Sequence, residues 1–407
     1  MTLPVTSTVL PPVLLLTDSD VFAGTERHML DLARGLRDCG TTVLLACPTP
    51  SALEEHGKSA GLPIVTIPKG GLLDGTAIRI LSDLLRDGKA AILHAHNGRT
   101  ALSAAVAAKR TGAGCCVLTQ HFLKPARAKR RGVGGQVYAL AHRWVSRNTH
   151  GFIAISEAVA DSMQTRGDAP QERVRVVLNG ITDPGTFSNT MDAADTRLQL
   201  GIPQGAALVV CAARLEREKN VETLINAMAL LQRSHPHVIC CIAGDGDERS
   251  TLQAHIHERK LQGTVRLLGF RNDVLSLLQA ADVFVLPSLA EPFGLVLLEA
   301  MAFSKPVVAT NVGGPREIVV HEETGLLVSP QNADTLAQAL GRLIGAPETA
   351  RRMGIKGRQR YETHFTAGRM ARETIQVYEN ALSFGPTSTL TTKHSMSDSF
   401  PKTTKTF

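Results

Sequence analysis

The stretch PSLAEPFGLVLLEAMAFSKPVVAT, residues 287–310, indicates the fold more clearly than any other part of the chain. The apolar run DVFVLP (282–287) leads into it and a second run, PVVATN (306–311), closes it, and both have the length of buried strands. Between them, GLVLLEAMAF is apolar on every face of a helix except at Glu299, as in a helix that is buried all round. Strand, buried helix and strand in succession predict a parallel β–α–β unit.

The same alternation of short apolar runs and helical patterns continues along the whole chain. One clear helix is TERHMLDLARGLRDCG, which ends at the glycine stop Gly40. Thirteen strands are predicted, at 13–17, 42–47, 63–68, 91–96, 115–120, 152–156, 175–179, 207–213, 238–244, 265–270, 282–287, 306–311 and 325–329. Near-continuous apolar strands belong to parallel sheets that are covered on both faces. The sequence therefore predicts an α/β protein with two doubly wound, Rossmann-like domains that face a cleft.

The 407 residues exceed one ordinary domain, and composition shifts indicate where the divisions fall. The Gly-, Pro-, Asn- and Thr-rich stretch 179–190 is the expected joint. We expect an N-terminal domain over 1–185, a C-terminal domain over 186–365, and a last helix over 366–383 that returns to the first domain. The Ser-, Thr- and Lys-rich tail 384–407 lacks periodicity and is expected to be disordered.

Composition and charge exclude several classes of protein. The seven cysteines include no CxxC, which indicates neither a disulfide framework nor a zinc site but reduced, buried thiols of a cytosolic protein. No apolar run is long enough to span a membrane, and the N-terminus lacks the basic region of a signal peptide. A net charge of +7 favours acidic partners such as nucleotide phosphates or an anionic membrane. With 4% aromatic residues, nucleic-acid binding by stacking is poorly supported. Neither domain carries a GxGxxG fingerprint, so nicotinamide-dependent oxidoreduction is not expected.

Two carboxylates in the opening stretch are candidate ligand contacts. Ligands of doubly wound sheets bind outside the carboxyl ends of the strands, and Glu291 follows such an end. We expect Phe293, Gly294, Leu295 and Val296 to form the first helical turn, whose free amides and helix dipole suit an anion. Glu299 would lie just over one turn further on. The alternative is structural: Glu291 caps the helix and Glu299 pairs with a core lysine or arginine.

Other strand ends carry further candidates. The segment ARLEREKN places Arg214 and Lys219 on a short polar loop as phosphate ligands, with solvated basic residues as the alternative. The segment AGDGDE puts Gly244 in a tight turn near a ligand, although a lone GxG is weak evidence. Phe270 and Arg271 of LLGFRND are placed to offer backbone contacts to a flat base.

The N-terminal domain offers a glycine, histidines and a basic cluster. In TDSDVFAGTE, Gly24 opens a helix, and the acidic pair Asp18 and Asp20 shapes the loop or, less consistently with this context, binds a metal. His121 lies at one strand end, and His94 and His96 lie at another; a lone histidine is more often structural than catalytic. The cluster KPARAKRR contributes Lys124, Lys129, Arg130 and Arg131, either as a solvated loop or as a grip on an acidic acceptor or anionic membrane.

Taken together, these stretches resemble the retaining GT-B glycosyltransferases of family 4, over about residues 13–380. The most specific element is Glu291-x7-Glu299 with GGPREIV after it, supported by ARLEREKN, AGDGDE, LLGFRNDV, IAISEAV and VLNGI. Such enzymes transfer a sugar from a nucleoside diphosphate to a hydroxyl with retention of configuration. The resemblance implies front-face transfer, in which the leaving phosphate helps to deprotonate the acceptor. It also implies that the two domains close on the donor, with hinges near 180–190 and before the last helix.

The resemblance also implies a role for each candidate. Arg214 and Lys219 would hold the diphosphate in place of a metal, and Glu299 would accept from the ribose hydroxyls. Glu291 would accept from the transferred sugar, while His121 would lie near the reacting sugar. The amides of 293–296 would hold sugar and phosphate. Gly24 matches the family's glycine loop, although Ala23 replaces the first of two common glycines.

The expected function is therefore metal-independent hexosyl transfer from a UDP- or GDP-sugar, with no cofactor. The acceptor would be a glycan or lipid-linked hydroxyl in cell-envelope, exopolysaccharide or lipopolysaccharide assembly, at the cytoplasmic face of the membrane. Two alternatives share the architecture: a nucleotide-sugar 2-epimerase and a non-catalytic nucleotide-sugar-binding partner. The sequence does not disclose the base, the sugar, the acceptor or the oligomeric state.

Overall fold

The computed structural model of the chain describes residues 10–69, 74–123, 133–186 and 191–383, and the side chains of 133–139 are outside this description. The basic cluster with Lys124, Lys129, Arg130 and Arg131 therefore lies outside the described residues, as does the tail 384–407. Both predictions about these segments remain predictions.

The first sheet has seven parallel strands in the order β3-β2-β1-β4-β5-β6-β7. Its strands are β1 (Val13–Leu16), β2 (Val43–Cys47), β3 (Ile64–Thr66), β4 (Ile92–Ala95), β5 (Cys115–Gln120), β6 (Gly151–Ala154) and β7 (Val174–Val176). Its helices are α1 (Gly24–Asp38), α2 (Ala52–Ser59), α3 (Gly75–Arg86), α4 (Gly98–Thr111), α5 (Val133–Asn148) and α6 (Glu157–Arg166). Strand order reverses direction between β1 and β4, the place where a doubly wound sheet opens a crevice.

The second sheet has six parallel strands in the order β10-β9-β8-β11-β12-β13. Its strands are β8 (Leu208–Ala212), β9 (Ile239–Ala243), β10 (Val265–Gly269), β11 (Val283–Leu286), β12 (Val307–Thr310) and β13 (Gly325–Val328). The remaining helices are α7 (Ala193–Gln199), α8 (Val221–Leu231), α9 (Arg249–Glu258), α10 (Val274–Ala280), α11 (Leu295–Ala302), α12 (Pro315–Ile318), α13 (Ala333–Gly345), α14 (Pro347–His364) and α15 (Ala367–Ser383).

The opening stretch forms the unit that its sequence predicts. Strand β11 pairs in parallel with β12, and helix α11 connects them. Every residue of both strands is buried, as are Leu297 to Ala302 of the helix. This burial on both sides explains the continuous apolar sequence, because both strands and most of the helix are packed in the interior.

The chain passes between the two sheets at two adjacent points. Ile181 donates its N–H to the carbonyl of Phe365 at 3.0 Å, and Ala367 donates back to Ile181 at 2.9 Å. Helix α15 then lies against α1, β5 and β6 of the first sheet, where Tyr378 is fully buried. The predicted fold is confirmed, including the helix that returns to the first domain. The described residues include no helix that is long and apolar enough to cross a bilayer.

Candidate active site

A cleft of about 1940 Å³ lies between the carboxyl ends of the two sheets. Loops of the first sheet form one wall and loops of the second form the other, as the positions of ligand sites in doubly wound folds would suggest. Every site residue that the sequence predicts within the described ranges lines this cleft: Gly24, His121, Arg214, Lys219, Gly244, Phe270, Arg271, Glu291, Phe293, Gly294, Leu295, Val296 and Glu299.

Lys219 and Glu291 form a largely buried ion pair at the centre of the second wall. Lys219 Nζ donates to Glu291 Oε2 at 2.6 Å, and the two side chains are 15% and 9% exposed. Ser288 Oγ donates to the same oxygen at 3.2 Å. These two contacts orient the carboxyl group, while its other oxygen remains available to hydroxyl donors. The alternative that Glu291 caps the helix is wrong, because Gly294 is the N-cap of α11 and no side chain within the described ranges bonds there.

Helix α11 begins later than predicted. Gly294 is the residue that precedes its first turn, so Leu295 and Val296 are helical while Phe293 is not. Phe293 is 2% exposed and its ring lies edge-on to Phe365 at 6.2 Å between centroids. The prediction of one helical turn over 293–296 is therefore wrong in part, because Gly294 has a left-handed backbone (φ 101°) and the helix begins only after it. The amides at 294–296 still open on the cleft side of the helix.

Gly314 lies in the short segment between β12 and α12, where the backbone packs closely against another loop. Its N–H donates to the carbonyl of Glu291 at 3.0 Å. A Cβ at this position would lie 2.3 Å from Phe293 Cα, far inside contact distance. The segment after β12 thus packs directly against the backbone of the Glu291–Phe293 loop and fixes it.

Glu299 faces the other domain. Its Oε1 lies 3.4 Å from a terminal nitrogen of Arg27 on α1. Burial raises the pKa of Glu299, Arg27 opposes this increase, and nearby Asp31 adds to it. The structural alternative predicted a core lysine or arginine as the partner of Glu299, and Arg27 is such a partner. It also lines the cleft, so the contact leaves the predicted ribose role open.

The loop that follows β8 carries the second predicted cation. Arg214 is largely exposed and pairs with Glu218 at 3.1 Å, so in this structure it lines the cleft without a buried partner. The structure gives a steric explanation for the glycine at position 244. A Cβ at Gly244 would lie 1.8 Å from the carbonyl oxygen of Ala213, which is too close for any side chain. The glycine permits the loops after β8 and β9 to touch, which brings Arg214 and Gly244 side by side.

The far end of the second wall is suited to a flat group. The side chain of Phe270 is 73% exposed, which is unusual for a large apolar residue. Arg271 beside it is held by Asp273, with Nε 2.7 Å from Oδ1. This pairing raises the pKa of Arg271 and fixes the plane of its guanidinium group.

The N-terminal wall contains contacts that sequence reasoning missed. Asp18 is bound by Arg99 at 2.6 Å and by the side-chain amide of Asn97 at 2.8 Å, while Asp20 pairs with Lys69 at 2.5 Å. Both acidic residues thus shape the loop, as the favoured interpretation holds. The sequence signal for Arg99 was its position at a strand end, in HNGR after β4.

Beneath this wall, four histidine rings lie close together: His28, His94, His96 and His121. His96 Nδ1 lies 3.0 Å from His121 Nε2, and His94 contacts Tyr378 and Thr119, each at 2.7 Å. Burial lowers the pKa of His121 and His96 well below the ordinary value, so both rings are neutral at pH 7.

Within the described residues, three of these histidines form the group that could hold a metal ion. Ring nitrogens of His28, His96 and His121 all lie within 4.8 Å of one another. Neutral imidazole is a suitable ligand for zinc. His96 Nδ1 and His121 Nε2 already hydrogen-bond to each other, so an ion bound through both of these nitrogens would have to displace the shared proton.

The two walls also touch directly. Ser156 Oγ donates to the carbonyl of Pro292 at 2.7 Å. The carboxylate of Glu317 accepts from the amides of Glu157 at 2.9 Å and Ala158 at 3.1 Å, which are at the start of α6. A side chain of the second domain therefore caps a helix of the first, at the helix end where a negative charge is favourable.

Comparison with known proteins agrees with this geometry. The family "Glycosyl transferases group 1" matches residues 192–360, and "Glycosyltransferase Family 4" matches residues 22–183. A relative named alpha-maltose-1-phosphate synthase, from Mycolicibacterium smegmatis, is 30% identical over 384 residues and covers 88% of this chain and 96% of its own length.

The chain belongs to glycosyltransferase family 4.

Two further proteins are similar to this chain. An Escherichia coli UDP-Gal:alpha-D-GlcNAc-diphosphoundecaprenol alpha-1,3-galactosyltransferase is 28% identical, with 73% of this chain and 77% of that protein covered. The crystal structure of Anabaena HepE in complex with UDP-glucose matches with a TM-score of 0.78 at 23% identity, over 92% of this chain and all of that one. The glycosyltransferase class that the sequence predicts is confirmed, and the cleft between its domains is the candidate active site.

Proposed function

We propose that this family 4 glycosyltransferase moves a hexosyl group from a UDP- or GDP-sugar to a hydroxyl of a glycan or lipid-linked acceptor, with retention of configuration and without a metal ion. The observation that carries the proposal is that two helices begin opposite each other in the cleft. A Cβ at Gly24, the first residue of α1, would lie 3.9 Å from the Leu295 side chain at the start of α11.

This meeting of helix ends suits a diphosphate. Each helix N-terminus carries a partial positive charge and free amides. Lys219 is paired with Glu291, which lies just before α11, and Arg214 lines the same wall of the cleft. Two dipoles and two cations can stabilise the charge that develops on a departing nucleoside diphosphate, which is the main electrostatic task of the reaction.

The proposed reaction is a transfer on one face of the sugar. The bond from the anomeric carbon to the diphosphate oxygen breaks, the acceptor oxygen bonds to the same face, and the acceptor proton passes to the departing diphosphate. Lys219 and Ser288 hold Oε2 of Glu291. The other carboxylate oxygen can therefore accept hydrogen bonds from the sugar hydroxyls. Neutral His121 adds a hydrogen bond to the sugar without a net charge.

The relatives support, without fixing, the choice of donor and acceptor. The Escherichia coli relative is named for a UDP-sugar donor and a diphosphoundecaprenol acceptor. The structural neighbour HepE binds UDP-glucose. We propose a lipid-linked or polysaccharide acceptor at the cytoplasmic face of the membrane, with the basic cluster 124–131 on anionic lipid.

Calorimetry with UDP, GDP, ADP and CMP, each with excess chelator, tests the donor site first. We expect one diphosphate to bind selectively. Turnover of the matching sugar nucleotide with a lipid or glycan extract should then release the diphosphate, and NMR of the product should show the donor's anomeric configuration. Binding that requires a divalent ion would overturn the metal-free proposal. Conversion of the sugar without any acceptor would indicate an epimerase instead.

Vesicle flotation tests the membrane proposal separately. Exchange of Lys129, Arg130 and Arg131 for glutamine should release the protein from vesicles that contain anionic lipid. The matched control removes three positive charges from the outer face of α14, at Arg351, Arg352 and Lys356. Equal release by both triple variants would mean that binding reflects net charge and not the cluster.

A further inference from the structure

Glu299, the carboxylate predicted to bind ribose, obtains its charge partner from the opposite domain. It lies on α11 of the second domain, and Arg27, on α1 of the first, approaches its Oε1 to 3.4 Å. Within the described ranges, Arg27 is the cation that comes within 4.0 Å of Glu299. The contact joins residues that are far apart in sequence and crosses the cleft that holds the donor.

Arg27 is itself fixed within its own domain. Its Nε lies 3.6 Å from Asp31 Oδ2, one turn further along α1. Asp31 is completely buried, and its Oδ1 accepts from the backbone N–H of Thr182 at 3.0 Å. Thr182 directly follows Ile181, where the chain crosses between the domains. The position of the Arg27 guanidinium therefore depends on α1 and on the crossing.

Glu299 needs this partner in order to act as an acceptor. A buried carboxylate without a counter-charge takes up a proton, and the protonated acid keeps fewer and weaker acceptor positions for the ribose hydroxyls. Burial and Asp31 both favour the protonated form of Glu299, and Arg27 opposes them. Without Arg27, two buried carboxylates would remain close together with less positive charge between them.

Arg27 and a ribose can bind Glu299 at the same time. An ionised carboxylate has about four acceptor positions on its two oxygens, and Arg27 approaches one oxygen. Its side chain is 26% exposed at the cleft, so the pair is neither sealed nor remote from a ligand. The hydroxyls would complete the coordination of the carboxylate and need not displace the arginine.

We propose that Arg27 is a positioning residue of the ribose site, supplied across the cleft so that Glu299 accepts ribose hydroxyls only when the two domains are together. The inference rests on the proposed donor site. It makes ribose recognition a property of the closed pair of domains, in contrast to base recognition, which the second wall can provide alone.

The test measures how much of the affinity comes from the ribose hydroxyls. Calorimetry on the full chain compares the diphosphate that binds, UDP or GDP, with its 2′,3′-dideoxy form, because contacts to base and phosphates cancel in the ratio of the two affinities. We expect the wild-type protein to prefer the natural ribose by about tenfold or more, the size of effect that charged hydrogen bonds give.

Three variants locate the effect. Arg27→Gln should reduce the preference to about twofold, while the affinity for the dideoxy nucleotide changes little. Arg27→Lys keeps the charge and should restore part of the preference. Arg34→Gln is the matched control, because Arg34 lies on the same helix 3.8 Å from Asp31 and should leave the preference unchanged. Thermal unfolding of each variant confirms that it is folded, and Arg27→Lys serves alone if Arg27→Gln is not.

The outcomes separate this inference from the proposed donor site. If Glu299→Gln abolishes the preference and the Arg27 variants keep it at the wild-type value, Glu299 binds ribose without help and the inference is wrong. An Arg27→Gln variant that loses affinity for both nucleotides equally would also overturn it, since that loss would not concern ribose. If the wild-type protein and Glu299→Gln show the same preference, the ribose assignment itself fails.

Discussion

Replacement of Lys219 by alanine separates its role as counter-ion from its role in catalysis. The change removes a 2.6 Å ion pair whose side chains are 15% and 9% exposed. Loss of one partner from a buried pair costs about 3 kcal/mol, because the other charge is left uncompensated. We therefore expect a loss of about 3 kcal/mol in the free energy of unfolding, and a fall in turnover of about 10²–10³ from the missing charge at the leaving group.

A second change, Glu291→Gln, is made alone and together with Lys219→Ala as a double variant. Comparison of these two variants separates the loss of the ion pair from the loss of the lysine charge. In the double variant no carboxylate is left unpaired, so the free energy of unfolding should recover most of the loss. Turnover should not recover: relative to Glu291→Gln alone, the double variant should still be slower by about 10²-fold. Urea unfolding gives the first quantity, and release of the nucleoside diphosphate gives the second.

The result that contradicts this reasoning is equal turnover of the double variant and Glu291→Gln alone. Lys219 would then act only as the counter-ion of Glu291, and the charge on the departing diphosphate would be stabilised by other groups. Arg214 and the amides at the start of α11 would be the remaining candidates.

Three further predictions concern residues that support the site. Burial lowers the pKa of His28 to about 4, from a value near 6.5 in the unfolded chain. Between these two pH values the unfolded chain binds a proton that the folded protein does not, so the free energy of unfolding is at its full value only above pH 6.5. This residue then contributes a loss of up to about 1.4 kcal/mol per pH unit as pH falls from 6.5 to 4, and urea unfolding of His28→Leu should show a shallower decline. Tyr378→Phe, which removes the hydroxyl 2.7 Å from His94, should cost about 1–2 kcal/mol in thermal unfolding with diphosphate affinity unchanged; altered affinity would place that pair in the donor site. Gly314→Ala forces a Cβ to within 2.3 Å of Phe293 Cα and should weaken diphosphate binding in calorimetry, whereas wild-type affinity would show that the loop can move at no cost.

The fold could be predicted from the sequence because the central strands of both sheets are buried on both faces. A parallel strand that is buried on both faces needs apolar residues at nearly every position, so central strands such as β1, β8, β9, β11 and β12 appear as short continuous apolar runs, whereas the edge strands β3 and β7 are partly exposed. The boundary of α11 was less predictable. The helix begins after Gly294, whose left-handed backbone (φ 101°) lies outside the helical region, and the apolar pattern alone does not separate the buried Phe293 from the helix.

The site could be predicted as a set of residues but not as a set of contacts. Loop position after a strand was enough to place Arg214, Lys219 and Glu291 on one wall of the cleft. The partners of those residues come from other elements: the carboxylate of Glu291 meets a lysine from the loop after β8, and Glu299 meets Arg27 from the other domain. No local pattern indicates such pairs, because they depend on how the two sheets face each other.

The adjacent crossings at Ile181 and Phe365 have a consequence for synthesis of the protein on the ribosome. The first sheet is made first, yet α15, which covers β5 and β6 and buries Tyr378 against them, is made last. The second sheet and its helices, from α7 to α14, leave the ribosome in between as one uninterrupted piece. The half that begins the chain must therefore wait, with part of its core uncovered, until the other half has been made.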